Sequence, residues 1–215
     1  MFLSLKNIPK VSWSSKKPLN IKPKIKTLIF LIFGLFLFGL GETLLLASGG
    51  GVSPWTVLAE GISIYSSYSV GWSTFWMSLV VLLLWIPLKQ KPGIGTILNV
   101  IIIALVLDYT LPYLPNPENY GFKVLQIIIG VLITGLGSGF YLISNLGPGP
   151  RDGLMTGVQK ITGKPMALVR STIEVIVVFF GWTLGGTAGL GTIIFALGIG
   201  PAVALGLFIV GKAFD

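Results

Sequence analysis

An all-α membrane protein with six transmembrane helices, arranged as two inverted three-helix repeats, is the fold this sequence predicts. Three observations carry that expectation: apolar runs of spanning length, a one-sided distribution of Lys and Arg, and an internal similarity at a spacing of 96 residues. The 215 residues are 53 % hydrophobic and 10 % charged, whereas a soluble globular chain carries about 25 % charged residues. Water is therefore not the main solvent of this chain.

Lys6, Lys10, Lys16, Lys17, Lys22, Lys24 and Lys26 precede the first apolar run. Lys and Arg beside a membrane segment bias that side to the cytoplasm, so residues 1–26 read as a cytoplasmic Lys-rich arm; they lack the apolar core of a cleaved signal. Residues 27–215 then form one membrane domain. Its apolar runs, 27–47, 70–88, 94–113, 122–143, 167–184 and 190–211, approach the roughly 20 residues that cross a hydrocarbon core of about 30 Å. With the arm inside, the second run returns to Lys89 and Lys91, the fourth to Arg151, Lys160 and Lys164, and the sixth to Lys212. Of the fifteen Lys and Arg only Lys123 falls clearly outside, which places both termini in the cytoplasm.

The repeat appears on shifting the chain by 96 residues without a gap. Gly39-Leu40-Gly41 then falls on Gly135-Leu136-Gly137, Pro54 on Pro150, and Gly93 to Ile97 on Gly189 to Ile193. Between residues 34–97 and their partners there are 16 identities, against roughly 5 expected by chance for so biased a composition. The two copies occupy about 27–113 and 122–211. Each holds three spans, an odd number, so the second must enter the membrane from the opposite side, the arrangement characteristic of secondary transporters.

Between the spans, 48–69 and 144–166 are rich in Gly, Pro and Ser. Ser53-Pro54 reads as an N-cap and first helical position ahead of a short helix from Trp55 to about Ser66. Gly149-Pro150 opens its counterpart, Arg151 to about Ile161, which Gly163 and Pro165 end. Each is re-entrant and site-lining, or lies flat in the interface; the residues alone leave both readings open. Short interrupted helices at equivalent places in two halves point to a binding region, because their N-termini offer unsatisfied N–H groups and a positive dipole end. The substrate-binding candidates are accordingly Ser53 and Glu60 for the outer half, and Gly149, Arg151, Asp152, Arg170 and Glu174 for the inner half. Arg170 and Glu174 stand at i, i+4, and ionisable residues inside spans are either functional or neutralise each other as a structural pair. Of Glu42, Glu60 and Asp108, Glu60 is chosen as the path-lining carboxylate because Gly61 beside it permits close backbone approach.

The runs Gly135 to Gly139, Ser144 to Met155, Arg170-Ser171-Thr172-Ile173-Glu174 and Gly181 to Thr192 resemble the YczE/YyaS/YitT family of bacterial integral membrane proteins. The resemblance covers chiefly residues 130–205, the first repeat being a weaker echo. It implies a multi-pass protein of a bacterial inner membrane, with transport as an activity, and it names no substrate.

The absence of Cys and His excludes disulfides, thiolate or imidazole metal sites and His-based acid–base chemistry. No Gly-x-x-x-x-Gly-Lys-Ser/Thr loop occurs to bind a nucleotide. No catalytic residue, metal or cofactor is expected, and the chain is not expected to be an enzyme. The expected function is a small secondary transporter of a small polar or anionic solute, driven by an ion or proton gradient. The alternative is a non-transporting scaffold or accessory subunit of a larger membrane complex. The expected partners are the lipid bilayer and a small-molecule solute, with a homo-oligomer left open. Nucleic acid is not expected despite the net charge of +8, because that charge sits beside the membrane segments.

Overall fold

The computed structural model of the protein describes residues 8–214, so the expectations for Lys6 and Asp215 lie outside the described residues. All regular structure among the described residues is helical: α1 Ile25–Ser48, α2 Pro54–Ser66, α3 Val70–Leu84, α4 Ile94–Thr110, α5 Tyr120–Ser144, α6 Pro150–Thr162, α7 Met166–Thr183 and α8 Leu190–Phe214. Five are long and apolar enough to cross a membrane: α1, α4 with its 3-10 extension to Tyr113, α5, α7 and α8. The pair α2 and α3, bent by 111° at its short break, makes a sixth if counted as one broken span.

That difference from the predicted 70–88 span has a local cause. Pro87 has no N–H to donate and disfavours helical backbone at Ile86. The chain turns there, with Lys89 at φ 52° and Gln90 N–H donating to Trp85 O at 3.1 Å. α3 is left with 15 residues, about 22 Å of helix.

Helices α4, α1, α5 and α8 pack in a row. At its centre Gly34 lies against Gly137 and Tyr141, and Gly41 against Gly130 and Thr134, so α1 and α5 run antiparallel. A Cβ on Gly41 would stand 2.5 Å from the Gly130 carbonyl oxygen; small residues allow the close backbone approach that drives membrane helices together. Helices α2, α3, α6 and α7 form a second group whose core includes Trp55, Met77, Val81, Trp85, Leu154 and Met155; α3 joins it to the row through α4.

The 96-residue spacing recurs in the backbone. Helix starts pair as Pro54 with Pro150, Val70 with Met166, and Ile94 with Leu190. The positive-φ positions among the described residues pair the same way: Gly49 with Asn145, Gly51 with Gly147, Ser67 with Gly163, Lys89 with Gly185. Contacts between halves are reciprocal too. Gly95 N–H donates to Leu146 O at 2.7 Å, and Gly191 N–H, 96 residues later, donates to Gly50 O at 2.8 Å. Each half thus seats the start of its last helix on the other half's loop.

The halves are not packed alike. α3 lies against α4, whereas α7 makes little contact with α8, and α2 is held more closely by α7 than α6 is by α3.

The described part of the Lys-rich arm is docked. Trp13 is fully buried, with ring centroids 4.6 Å from Phe30 and 6.0 Å from Phe214. Ser15 N–H donates to Ser144 O at 3.1 Å, and the Asn145 amide donates to Ser15 O at 2.9 Å. Lys10, Lys16, Lys17, Lys22, Lys24 and Lys26 stay exposed around this anchor.

Candidate binding site between two short helices

After α1 ends at Ser48, Gly49 (φ 63°) and Gly51 (φ 110°) turn the chain back along the helix it has just left. Only a residue without a Cβ takes these angles freely, and a Cβ on Gly51 would stand 2.7 Å from the Gly189 backbone nitrogen. The loop delivers Ser53 to Glu42, whose level is about 9 Å inside the end of α1. Ser53 Oγ donates to Glu42 Oε2 at 2.5 Å, Thr56 Oγ1 donates to the same oxygen at 2.7 Å, and the two hydroxyl oxygens lie 2.9 Å apart. Glu42 is 1 % exposed, and its Oε1 has no hydrogen-bond partner among the described residues.

The second short helix opens by the matching device, with Gly147 at φ 111°. Gly149 has the Tyr141 hydroxyl and the Asn99 amide beside it, and the Pro150 carbonyl accepts from Trp85 Nε1 at 2.9 Å. Arg151 then reaches across to the first half: its guanidinium carbon lies 5.6 Å from the centre of the Trp55 ring. Among the described residues no carboxylate stands within 4.0 Å of it, the one ion pair being Arg170 with Glu174 at 2.8 Å. Glu42, Asp152 and Glu174, from three different helices, are nevertheless within coulombic reach of Arg151. Asp152 is exposed and lies within reach of Arg170.

Ser53, Gly149, Arg151 and Asp152 therefore stand at the N-termini of α2 and α6, with Arg170 and Glu174 on α7 close to the second. Glu60 is elsewhere. Its Oε2 accepts from Thr187 N–H at 2.7 Å and its Oε1 from Thr187 Oγ1 at 2.9 Å, so both oxygens tether α2 to the α7–α8 loop. Asp108 holds the start of α3, accepting from Gly71 N–H at 2.8 Å and from Ser69 Oγ at 2.6 Å. Sequence reasoning passed over Glu42, Thr56 and Trp55. The signal for Glu42 was present: a carboxylate inside an apolar run, next to Gly41 and close to Gly39, whose bare backbones imply helices pressed against that stretch.

The model of a family of unknown function (DUF6198) matches residues 25–207. A Haemophilus influenzae (strain ATCC 51907 / DSM 11121 / KW20 / Rd) protein, bearing only the name "Uncharacterized protein", is 41 % identical over 205 residues, 95 % of this chain and 93 % of that one. From Bacillus subtilis (strain 168), the "Uncharacterized membrane protein YczE" is 33 % identical over 79 % of this chain and 77 % of its own. The "Uncharacterized protein YyaS" of the same strain is 23 % identical over 75 % and 82 %. No solved structure matches.

Proposed function

The chain belongs to the family of unknown function DUF6198 and is related to YczE and YyaS, and on that footing we propose that it is a small secondary transporter of an anionic or zwitterionic solute. The observation that carries this reading is the meeting of two helix N-termini at Trp55 and Arg151, with the guanidinium in no ion pair among the described residues. A cation and the positive ends of two helix dipoles in one place favour a negatively charged group. Non-helical backbone at membrane depth is tolerated where protein buries it or water lines it, and both short helices are entered through such backbone.

In this reading the halves are inverted repeats. The antiparallel run of α1 and α5 and the reciprocal bonds from Gly95 and Gly191 support a two-fold axis lying in the membrane plane. The end bearing the arm, Lys89, Lys91 and Lys212 faces the cytoplasm of a bacterial inner membrane, by the positive-inside rule. The site is then sealed outward and open inward: Thr56 on α2 is buried, while its counterpart Asp152 on α6 is exposed. The protein has no nucleotide-binding loop, so an ion or proton gradient drives the movement, and it catalyses no bond-making chemistry.

The test is solute-jump current recording on a solid-supported membrane, with purified protein in liposomes and a panel of small carboxylates, phosphates and amino acids. A saturable current for one class, lost in Arg151→Gln, is expected. No saturable current for any class, from liposomes in which the protein is shown to be folded, overturns the transporter reading in favour of a non-transporting scaffold.

A further inference from the structure

Three oxygens from two elements form a closed triangle in the first half: Glu42 Oε2, Ser53 Oγ and Thr56 Oγ1, separated by 2.5, 2.7 and 2.9 Å. The proton count of this triangle depends on the state of Glu42. An ionised carboxylate only accepts. Both hydroxyl protons then point at Oε2, and nothing lies between Ser53 Oγ and Thr56 Oγ1 but lone pairs at 2.9 Å. In that state Oε1 also carries half a buried negative charge with no donor among the described residues, which leaves its desolvation uncompensated.

A proton on Oε2 removes both defects. Oε2–H donates to Ser53 Oγ, Ser53 O–H donates to Thr56 Oγ1, and Thr56 O–H donates back to Oε2. Each oxygen gives once and accepts once, and all three short separations become hydrogen bonds that polarise one another. Oε1 is left as a neutral carbonyl oxygen, which is far less costly to bury unpaired than a charged one.

We propose that Glu42 is a proton-binding site: its Oε2 takes one proton from solvent and returns it to solvent, with no other bond made or broken. Loss of that proton opens the Ser53–Thr56 contact at the first turn of α2, which carries Trp55 against Arg151, so proton occupancy bears on the position of the solute-binding cation. The coupling role rests on the transporter reading; the proton site does not.

The other charged groups near Glu42 are few. Arg151 on α6 is within coulombic reach. On α5 there is no titratable residue between Lys123 and Tyr141. α4 carries Asp108, held by Ser69 and Gly71, beside Tyr109. α2 carries Glu60, held by Thr187, and α7 carries Arg170 paired with Glu174.

Infrared difference spectroscopy of the purified full-length protein in lipid nanodiscs, acid minus alkaline, reads the proton directly. A carbonyl band of a protonated carboxylic acid in a non-aqueous setting is expected, lost in Glu42→Gln and shifted in Thr56→Val, which keeps the carboxyl but removes one ring member. A wild-type protein without such a band, or a band that survives Glu42→Gln and does not move in Thr56→Val, overturns the proposal. If Glu42→Gln does not fold, Thr56→Val decides alone. The band with no solute current sustains the proton site while removing the transporter reading; solute current with no band does the reverse.

Discussion

Arg151 lays its guanidinium 5.6 Å from the centre of the Trp55 ring, and the two residues are each other's counterparts, 96 positions apart, in the two halves of the chain. A cation placed over an indole face is attracted by about 0.5–2 kcal/mol. Trp55 orients the guanidinium without consuming its hydrogen-bond donors, which leaves the planar fork available to a carboxylate or phosphate.

Arg151→Gln is therefore expected to weaken binding of an anionic solute by roughly 10- to 100-fold, the worth of a charge-assisted hydrogen bond of about 1.5–3 kcal/mol. Arg151→Lys should recover part of this, since the charge remains but the stacked plane does not. Calorimetric titration with the solute identified by current recording measures both, and an unchanged melting temperature shows that the loss is local.

Because the native chain has no Cys, single-Cys probes are clean. A membrane-impermeant maleimide should label Asp152→Cys readily and Thr56→Cys slowly, as Asp152 is exposed and Thr56 buried. The labelling should come from the side of Lys89 and Lys91, and a Cys at 117 should label only from the opposite side. Equal labelling of positions 56 and 152 contradicts the inward opening.

Arg170 Nε donates to Glu174 Oε1 at 2.8 Å on the lightly buried helix α7. Arg170→Gln alone strands the carboxylate, and the double change with Glu174→Gln should restore most of the loss. The Arg170 side chain is 40 % exposed, so the single change should cost about 1 kcal/mol rather than the 3–5 of a fully buried pair. A double-mutant cycle in chemical denaturation measures it.

Gly51→Ala and Gly147→Ala are each expected to cost several kcal/mol. Their φ angles of 110° and 111° exclude an L side chain, and a Cβ would sit 2.7 Å from Gly189 N in one case and 2.9 Å from Gly93 Cα in the other. Gly198→Ala is the control: its nearest neighbour, Val131 Cγ1, lies at an ordinary 3.4 Å, and helical backbone gains from Ala. Melting temperatures should fall sharply in the first two variants and hold or rise in the third.

Trp13→Ala removes the anchor of the arm. A buried Trp truncated to Ala costs about 3–5 kcal/mol, and the losses here fall on contacts with Phe30, Phe140 and Phe214. Limited trypsin digestion should cut after Lys10 and Lys16 faster than in the native chain, while cleavage after Lys89 stays unchanged.

The membrane helices were legible because transfer into hydrocarbon is summed along a contiguous run, and a run such as 122–143 carries its own answer wherever its neighbours lie. The short helices at Pro54 and Pro150 were legible for a similar reason: Pro at the first helical position and Gly in the turn act on the backbone beside them. The repeat is visible in Gly41, Gly135 and Gly137, which each face another backbone where no side chain fits, and in Gly39, which is pressed against the Val106 side chain.

Which carboxylate sits at the site was not legible in this way. Glu42 and Glu60 are the same residue type in similar company, and what separates them is partners. Thr187 comes from 127 residues away to occupy both oxygens of Glu60, while one oxygen of Glu42 has no partner among the described residues. The Lys pattern marked residues 1–26 as a charged arm, yet Trp13 finds its pocket only once α1, α5 and α8 have come together. Nor could the matching starts of α4 and α8, Gly93 to Ile97 and Gly189 to Ile193, announce that α3 lies on α4 while α7 leaves α8. Solvation and backbone preference are properties of a residue and its chain neighbours, so the sequence by itself determined an all-helical membrane protein with a repeat at a spacing of 96 residues; hydrogen-bond occupancy, burial of a charge and the packing of α7 away from α8 depend on groups brought from far along the chain, and only the tertiary structure decided those.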